Sequence, residues 1–426
     1  SGTATTSGTA TFAFSFGGQS CTISVPVAAA FAGIPASITL GQSTRTFIAS
    51  VNDNNYLPYS APVAAATTVT PSNPDGVTET LVDIQGSLTT TGLTVSIPCT
   101  ATGSGTLPAY SATVNVPASL TEDGVARDVT LSWASQGYTS ATTFITANIR
   151  ALVGTLNARK LDINTGIGND ILGVLLASIA YPYNNAGNNS NYQLRDIAGI
   201  PDREFADANH RMLYLPVVSA TGRTWLNNNL GANYANIASG NFNLTAQANA
   251  ANDFRAYGSL YQWGRNSDGH ELITWTSSTT GTPVNGTTTT RPEADQAATP
   301  LFITINSFNF DWRGSTQNNA LWQGVAGINN PCPTGFRLPT NAEITAEVTA
   351  YSITNSATAF SSIFKFTVPG SRNIDTGALD FEGSNGTYWS SSVSGTTATY
   401  RTFDSGGTNV FNYSRANGLT VRCLKD

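Results

Sequence analysis

The sequence predicts a mainly β protein, in which an N-terminal Ig-like β-sandwich is followed by an α+β domain. Three observations support this prediction. Short runs that alternate apolar and polar residues dominate the first 160 residues, tryptophans become dense in the second half, and helix-start signals occur only there. The 426 residues suffice for two or three domains of roughly 100–200 residues each. We therefore expect a hairpin at 1–28, a sandwich at 29–175 and a second domain at 176–426.

The first predicted element is a β-hairpin with one apolar face. In TATFAFSFGGQSCTISVPV, Phe12, Phe14 and Phe16 alternate with small residues, and Ile23 and Val25 continue the alternation after a Gly-Gly turn. An isolated two-stranded hairpin is marginally stable in water, so we expect other strands to cover these five side chains. The sequence leaves three arrangements open. The hairpin completes the sandwich of its own chain, lies at a processing boundary, or inserts into the sandwich of the next subunit and pairs with its exposed edge. The five residues are therefore our candidates for subunit contacts.

Eight further runs predict the strands of the sandwich. Proline, glycine, asparagine and aspartate separate them at intervals of roughly 8–15 residues, which is typical of a β-sandwich. The runs are SITLGQS, RTFIASVND, TETLVDIQGSL, GLTVSIPCTAT, YSATVNVPASL, RDVTLSWAS, TTFITANIRAL and TLNARKLDI. Trp133 is expected in the core.

The second domain is predicted to mix helices with strands. An apolar run over 171–180, followed by an Asn/Gly-rich loop, indicates the join between the domains. Thr340 and Glu343 form a capping-box pattern at the start of a helix. Asp253 is expected to cap another helix, which carries Phe254, Tyr257, Leu260 and Tyr261. The residues after Trp389 read as several short antiparallel strands with Gly and Asn turns.

The composition excludes several classes of partner. Charged residues make up 11% of the chain, against about 25% in an average soluble protein, and the net charge is −6. Because no basic stripe is present, we exclude nucleic acid as a main partner. No apolar run approaches the ~18 residues that a membrane span needs. The four cysteines, none in a CxxC motif, predict two disulfides in an oxidising compartment, with free buried thiols as the alternative.

The sequence offers little support for catalysis or for a metal site. Its two histidines, His210 and His270, lie sixty residues apart, and neither has the spacing of a metal motif such as HExxH. No GxSxG, Walker or dinucleotide-binding glycine motif is present. We therefore expect no enzyme, no catalytic residues and no cofactor. Turn residues 266–269 and the pair Asn169 and Asp170 offer oxygen ligands for calcium, but a plain Asx-turn explains both more economically.

The strands and turns after Trp389 carry the best candidates for an exposed ligand-binding face. Tryptophan and tyrosine serve cores and sugar-binding surfaces equally well, because each has an apolar ring and one polar group. The candidates are Trp389, Tyr400, Arg401, Asp404, Asn409, Asn412, Tyr413 and Arg415.

Ordered sequence blocks in the C-terminal half resemble a known family. GRTWLNNNLGANYANI, DFRAYGSLYQWGRNSDGHELI, NPCPTGFRLPTNAEI, TVPGSRNIDTGALDFEGSNGTYWSSS and GLTVRCLKD are similar to the FISUMP family (major paralogous domain) of secreted Bacteroidota proteins. The resemblance covers roughly 191–426 and implies a C-type-lectin-like fold, related to that of formylglycine-generating enzymes. It also implies a disulfide between Cys332 and Cys423. Cys21 and Cys99 would then form the second bond, within one subunit or between two.

The resemblance does not extend to the activities of related proteins. GFRLPTNAEI is similar to a segment of formylglycine-generating enzymes, but the reactive cysteine pair of those enzymes has no counterpart here. The calcium-sugar motifs of animal lectins are also absent. At the N-terminus, SGTATTSGTATFAFSFGGQSCTISV resembles the closing hairpin of Thr/Gly-rich β-sandwich repeats in Bacteroidota surface adhesins. This second resemblance implies that the hairpin ends a repeat whose earlier strands are missing.

These observations together predict a secreted, non-enzymatic bacterial surface protein. A β-sandwich stalk would carry a lectin-like head, and the chain would act as an adhesin and as the subunit of a head-to-tail filament. Its partners would be copies of itself, further repeats, glycans or an environmental surface. The alternative is a carbohydrate-binding module of a larger secreted protein. A weaker alternative is an enzyme of the formylglycine-generating kind that lacks the usual cysteines.

Overall fold

The computed structural model describes residues 8–27, 31–42, 44–51, 78–83, 86–161, 172–305, 310–315 and 317–426. The described chain is mainly β, as the sequence predicts. The strands of its first half are β1 (Gly8–Phe16), β2 (Gln19–Val27), β3 (Ile38–Leu40), β4 (Thr44–Val51), β5 (Thr78–Asp83), β6 (Ser87–Leu88), β7 (Leu93–Ala101), β8 (Gly105–Leu107), β9 (Tyr110–Val116), β10 (Arg127–Trp133), β11 (Gln136–Tyr138), β12 (Phe144–Ala151), β13 (Leu156–Asn157), β14 (Val174–Pro182) and β15 (Asn189–Pro201).

The predicted N-terminal hairpin is present. Strands β1 and β2 pair antiparallel, with Phe12 opposite Ile23, and among the described residues they form a sheet of their own. The side chains of Phe12, Phe14, Phe16, Ile23 and Val25 lie outside the described part of the structure. What covers them therefore stays a prediction.

Two sheets share the first hydrophobic core. One has the order β3-β7-β12-β10-β9, and the other the order β14-β15-β4-β5, in which β4 is parallel to both of its neighbours. In β7 and β12 alternate residues point inward, as the sequence pattern predicts, and Trp133 is buried between the sheets. Strand β4 is buried on both faces, because Ile48 lies in this core whereas Phe47 and Ala49 lie in a separate cluster.

Strands β14 and β15 belong to this first core. Leu176, Ile179 and Tyr192 lie in it, although the sequence assigned residues from 176 onward to the second domain. Further along β15, Ala198 and Ile200 enter the next core. The long strand β15 therefore contributes to both halves, and the first core extends beyond the predicted boundary at residue 175 because the apolar alternation of β14 matches its inner face.

The second half contains several small sheets and two short helices. Its elements are β16 (Leu213–Tyr214), β17 (Pro216–Val218), β18 (Thr224–Leu226), β19 (Leu260–Gln262), β20 (Ile273–Ser277), β21 (Thr280–Pro283), β22 (Thr287–Thr288), β23 (Phe302–Ile303), β24 (Phe336–Arg337), α1 (Asn341–Ala350), α2 (Ser356–Ser361), β25 (Ser371–Arg372), β26 (Leu379–Asp380), β27 (Gly386–Ser394), β28 (Thr397–Phe403), β29 (Thr408–Tyr413), β30 (Gly418–Thr420) and β31 (Leu424–Lys425). The largest sheet has seven strands, in the order β26-β25-β30-β27-β28-β29 with β19 paired to β30.

One of the two predicted helices forms. At the start of α1, the Thr340 hydroxyl accepts from the Glu343 N–H and the Glu343 carboxylate accepts from the Thr340 N–H, which confirms the capping box. The helix predicted after Asp253 is wrong, because only a single 3-10 turn over Phe254–Ala256 is present. Gly258 ends it with a φ of +77°, a left-handed conformation that a helix does not contain.

The cysteines divide into one disulfide and one free thiol. Cys332 and Cys423 are bonded, which confirms the pairing implied by the family resemblance. Cys99 is a free, buried thiol that lies 3.5 Å from the carbonyl oxygen of Thr142. The predicted bond between Cys21 and Cys99 is therefore not formed in this structure, where the side chain of Cys21 lies outside the described part. None of the described helices is long and apolar enough to cross a membrane.

Candidate functional site

Strands β27, β28 and β29 carry all the predicted ligand-binding residues except Asp404 and Arg415, which follow β28 and β29. They are adjacent and antiparallel, with Trp389 opposite Tyr400 and Tyr400 opposite Phe411. Directly opposed residues share a face of the sheet, so these three rings lie on the same face. Because side chains alternate along a strand, Asn409 and Tyr413 of β29 also belong to this face.

This face passes from the core to the surface across three strands. Trp389 on β27 is 1% exposed, and its indole N–H donates to the carbonyl oxygen of Tyr261 at 2.8 Å. Tyr400 on β28 is half-buried. On β29, Phe411 is 49% exposed and Tyr413 is 39% exposed. We call Tyr400, Phe411 and Tyr413 the ring face.

The three rings of the ring face contact one another. The centroid of the Tyr400 ring lies 5.4 Å from that of Tyr413 and 5.9 Å from that of Phe411, with interplanar angles of 35° and 36°. The Trp389 ring supports Tyr400 from the core at 6.0 Å in an edge-to-face contact. These separations are typical of aromatic pairs that stabilise one another. The buried tryptophan therefore holds an exposed aromatic surface in place.

The electrostatics of the ring face keep its phenols protonated. Burial, and then the neighbouring Tyr413, raise the pKa of Tyr400 to about 12. Burial also raises the pKa of Tyr413, and the carboxylates of Asp380 and Asp375 add to the effect. Both hydroxyls can therefore donate and accept hydrogen bonds at neutral pH. The face can stack against an apolar surface and bond to hydroxyls, which is a binding chemistry rather than a catalytic one.

Three of the predicted ligand-binding residues are structural. Trp389 and Arg415 are buried in the second half of the chain, where the Arg415 guanidinium lies 4.6 Å from the centroid of the Trp263 ring. Arg401 is also buried, and its guanidinium donates to the Thr345 hydroxyl of α1 at 2.7 Å. Their prediction as an exposed face is wrong, because the polar groups of these residues are used to join the sheet to its neighbours.

The remaining polar candidates take different positions. The Asp404 carboxylate accepts from the N–H groups of Gly406 and Gly407, so it shapes the turn between β28 and β29. The Asn412 side chain accepts from the Thr399 hydroxyl on the opposite face of β29. Asn409 is exposed at the end of the ring face. Sequence reasoning missed Phe411, although the alternation of Asn409, Phe411 and Tyr413 was the signal that could have found it.

A second cluster of polar residues lies buried in the second half. His210 Nε2 lies 2.7 Å from Glu271 Oε1, and His270 Nδ1 lies 3.2 Å from Glu271 Oε2. Burial lowers the pKa of His210, but the hydrogen bond and charge of Glu271 outweigh it and raise the value to about 9. Burial acts to raise the pKa of Glu271, and the two histidines hold it well below its usual range. The two histidines lie sixty residues apart in the sequence, but the structure joins them through one carboxylate.

Part of this cluster offers potential metal ligands that already have partners. Ligand atoms of Asp268, His270 and Glu271 lie within 4.8 Å of one another. The Gln262 N–H donates to His270 Nε2, so Nδ1 carries the proton and donates to Asp268 Oδ1 at 2.6 Å. Both oxygens of Asp268 also accept from the Arg265 guanidinium. A cation would have to displace these bonds. The Asx-turn predicted here is present, since the His270 N–H donates to Asp268. The second predicted turn, at Asn169 and Asp170, lies outside the described residues.

Comparison with protein-family models, with curated proteins and with solved structures finds no match. Arguments about function therefore rest on the residues and geometry of this chain.

Proposed function

We propose that this chain is an extracellular bacterial surface protein that acts as an adhesin, with the ring face as its ligand-binding surface. The observation that carries the proposal is the exposure of two large aromatic side chains, Phe411 and Tyr413, on a strand whose other side chains are uncharged. A sheet of this kind normally exposes polar residues to water. Exposed aromatic groups held on a rigid support are typical of recognition surfaces.

The chemistry of the ring face favours a glycan as the ligand. The CH groups of a sugar ring form an apolar face that stacks on aromatic rings, and its hydroxyls bond to phenols and amides. The ring face offers the Tyr400 and Tyr413 hydroxyls, and Asn409 adds an exposed amide. The carboxylates of Asp380 and Asp375 act on Tyr413 through their charge.

The proposal also assigns a domain type to each half of the chain. The first core would be an Ig-like sandwich that serves as a stalk, and the second half a C-type-lectin-like head of the FISUMP family. The capping box of α1 follows the GFRLPT segment, and the Cys332–Cys423 bond joins two of the blocks on which the resemblance rests. The disulfide is compatible with an extracellular location.

A non-enzymatic role is part of the same proposal. Two buried groups with strongly perturbed pKa values, His210 and Glu271, pair with each other. Perturbed pKa values mark catalytic sites when the groups lie in a cleft, but structural ion pairs perturb them too. Glu271 is fully buried, so a substrate does not reach it without rearrangement.

Self-assembly completes the proposal. Among the described residues, β1 and β2 form an isolated two-stranded sheet, and such a hairpin needs further strands to be stable. We propose that a hairpin of this kind joins the chain to a neighbouring copy by strand addition, which produces a head-to-tail filament. The runner-up is a carbohydrate-binding module of a larger secreted protein, which the same ring face would serve.

A glycan array with the purified chain, in the presence and absence of calcium, tests the adhesin proposal. Removing one ring, as in Tyr413→Ala or Phe411→Ala, is expected to weaken glycan binding about tenfold, which equals about 1.4 kcal/mol. Ile328→Ala, a change at another exposed apolar residue, should leave binding unchanged. If the chain binds no glycan, or if the ring variants bind as tightly as the original, the ring face is not a sugar-binding surface. Unboiled, non-reducing electrophoresis separates the two roles, because a ladder of multimers favours a filament and a single 44.6 kDa band favours the module.

A further inference from the structure

Among the described strands, β29 is an edge of the seven-stranded sheet. In the described part of the chain its strand partner is β28, on one side. Successive residues of a strand direct their N–H and C=O groups to opposite sides, so about half of these groups on β29 point outward. An edge of this kind is a template for pairing with another strand.

The sequence of β29 lacks the features that normally protect an edge. Its six residues, TNVFNY, include no charge and no proline, and Val410, Phe411 and Tyr413 are exposed. At the other end of the same sheet, β26 has two residues and carries Asp380. In the sheets of the first core, β5 carries Glu79 and Asp83.

The remaining long edges of the first core face each other. The Tyr110 hydroxyl of β9 donates to the carbonyl oxygen of Ala180 in β14 at 2.7 Å. These two edges therefore lie side by side, where the two sheets meet. Outside the hairpin and the two edges that meet, β29 is the described edge that combines length, neutrality and exposed apolar side chains.

We propose that the outer edge of β29 accepts strand β1 from a second copy of this chain. The inference rests on the proposed assembly by strand addition and names the acceptor, which the sequence alone had placed in the sandwich. The hairpin of β1 and β2 contains no charged residue over 8–27, so neither strand brings a charge to the neutral edge. Its nine-residue strands are long enough to cover all six residues of β29.

The hairpin presents β1 rather than β2 to the acceptor. Pro26 lies within β2 and has no N–H, so β2 has an incomplete set of donors. Strand β1 contains no proline, and its alternating phenylalanines and small residues suit a pleated, half-buried surface. Added strands extend a sheet sideways, so the ring face on β29 stays open to a ligand.

The contact joins different surfaces of the two copies. An interface in which β1 of one copy meets β29 of another leaves a free β1 and a free β29 at the ends of the pair. Further copies can add at both ends. The assembly is therefore an open filament, unless its geometry closes a ring.

Two neighbouring proline substitutions in β29 test the acceptor. In Asn409→Pro and Val410→Pro, one proline removes an N–H that bonds to β28 and the other removes an outward N–H. The variant that retains the thermal stability of the original chain is the edge variant. We expect it to reduce the multimer fraction in analytical ultracentrifugation at least tenfold. Tyr413→Ala is the matched control, since it keeps the backbone edge and should assemble normally.

A complementary variant tests the donor. Phe14→Lys places a charge on the apolar face of β1 and should abolish assembly, whereas Thr22→Lys, at an exposed position of β2, should not. A mixture of the edge variant and Phe14→Lys has one working donor and one working acceptor, so we expect dimers and no larger species.

Three results would overturn the assignment. The first is an original chain that remains a single 44.6 kDa species at every concentration tested. The second is an edge variant that assembles like the original, which would move the acceptor elsewhere while leaving filament formation intact. The third is a mixture that forms long multimers. Glycan binding by the ring face is measured separately, so failure of the edge assignment and failure of the adhesin proposal are distinguishable.

Discussion

The buried pair of His210 and Glu271 predicts that the chain loses stability as the pH rises through about 9. The two side chains are joined at 2.7 Å, and the His210 side chain is 8% exposed. Asp202, Asp207 and Glu271 are the acidic groups that act on His210. Their combined charge and the Glu271 hydrogen bond outweigh burial and raise the pKa of His210 from 6.5 to about 9.

The magnitude follows from the difference between the folded and unfolded pKa values. Each pKa unit corresponds to about 1.4 kcal/mol, so a rise from 6.5 to about 9 stabilises the folded state by about 3 kcal/mol. Because the pKa is raised on folding, this contribution is fully present below pH 6.5 and is lost as the pH passes through 9. The lowered pKa of Glu271 arises from the same contact, so its free energy is not added to that of His210.

Thermal unfolding between pH 6.5 and 9.5 measures this effect. Burial raises the pKa of Asp202 to about 6, so its titration lies below this window. We expect the Tm to fall by several degrees across the window. His210→Gln keeps a polar group near Glu271 but carries no titrating charge, so its Tm should be lower at pH 6.5 and nearly independent of pH. If the original chain and His210→Gln show the same slope of Tm against pH, the reasoning about this pair is wrong.

Three further changes have expected effects on stability. Cys423→Ser removes the bond to Cys332, which closes a loop with a sequence separation of 91, and should lower the free energy of unfolding by roughly 4–5 kcal/mol in urea titrations; an unchanged midpoint would contradict this. Gly258→Ala places a Cβ 2.3 Å from a backbone oxygen at a φ of +77°, whereas Gly187→Ala, at a φ of +76°, places its Cβ in open space. Gly258→Ala should therefore lower the free energy of unfolding by about 1–3 kcal/mol more than Gly187→Ala does; equal Tm values for the two variants would refute the clash. Thr340→Ala removes the N-cap of α1 and should cost about 1 kcal/mol by urea unfolding, with Thr340→Ser close to the original; equal losses in both variants would show that the cap is not the cause.

Local patterns in the sequence were sufficient for the strands and for the start of one helix. The hairpin turn, the strands within the eight alternating runs and the Thr340 capping box each depend on residues within a few positions of one another, and all are present. Strands β8, β11, β14 and β15 lie outside these runs and were not predicted. The helix predicted after Asp253 failed because its apolar residues also fit a turn followed by a strand. Gly258, in a left-handed conformation, decides between these possibilities.

The candidate site was only partly predictable, since exposure depends on what covers a residue. Tyr400, Asn409 and Tyr413 were placed correctly on an accessible face. Trp389 and Arg415 were chosen on the same grounds of residue type, but they lie in the core, where segments distant in the sequence surround them. Alternation along β29 indicated which residues share a face, but it did not show which strand of the sheet would be the outer one.

The sequence by itself determined which segments extend, which residues share a strand face and where α1 begins, because periodicity, turn residues and capping patterns act over a few positions. Only the tertiary structure decided that β14 and β15 enter the first core, that β29 is an edge, and that Glu271 lies between two histidines. Each of these depends on contacts between residues far apart in the chain. Such contacts follow from how whole surfaces pack, and a local sequence pattern does not identify the distant segment that a residue will contact.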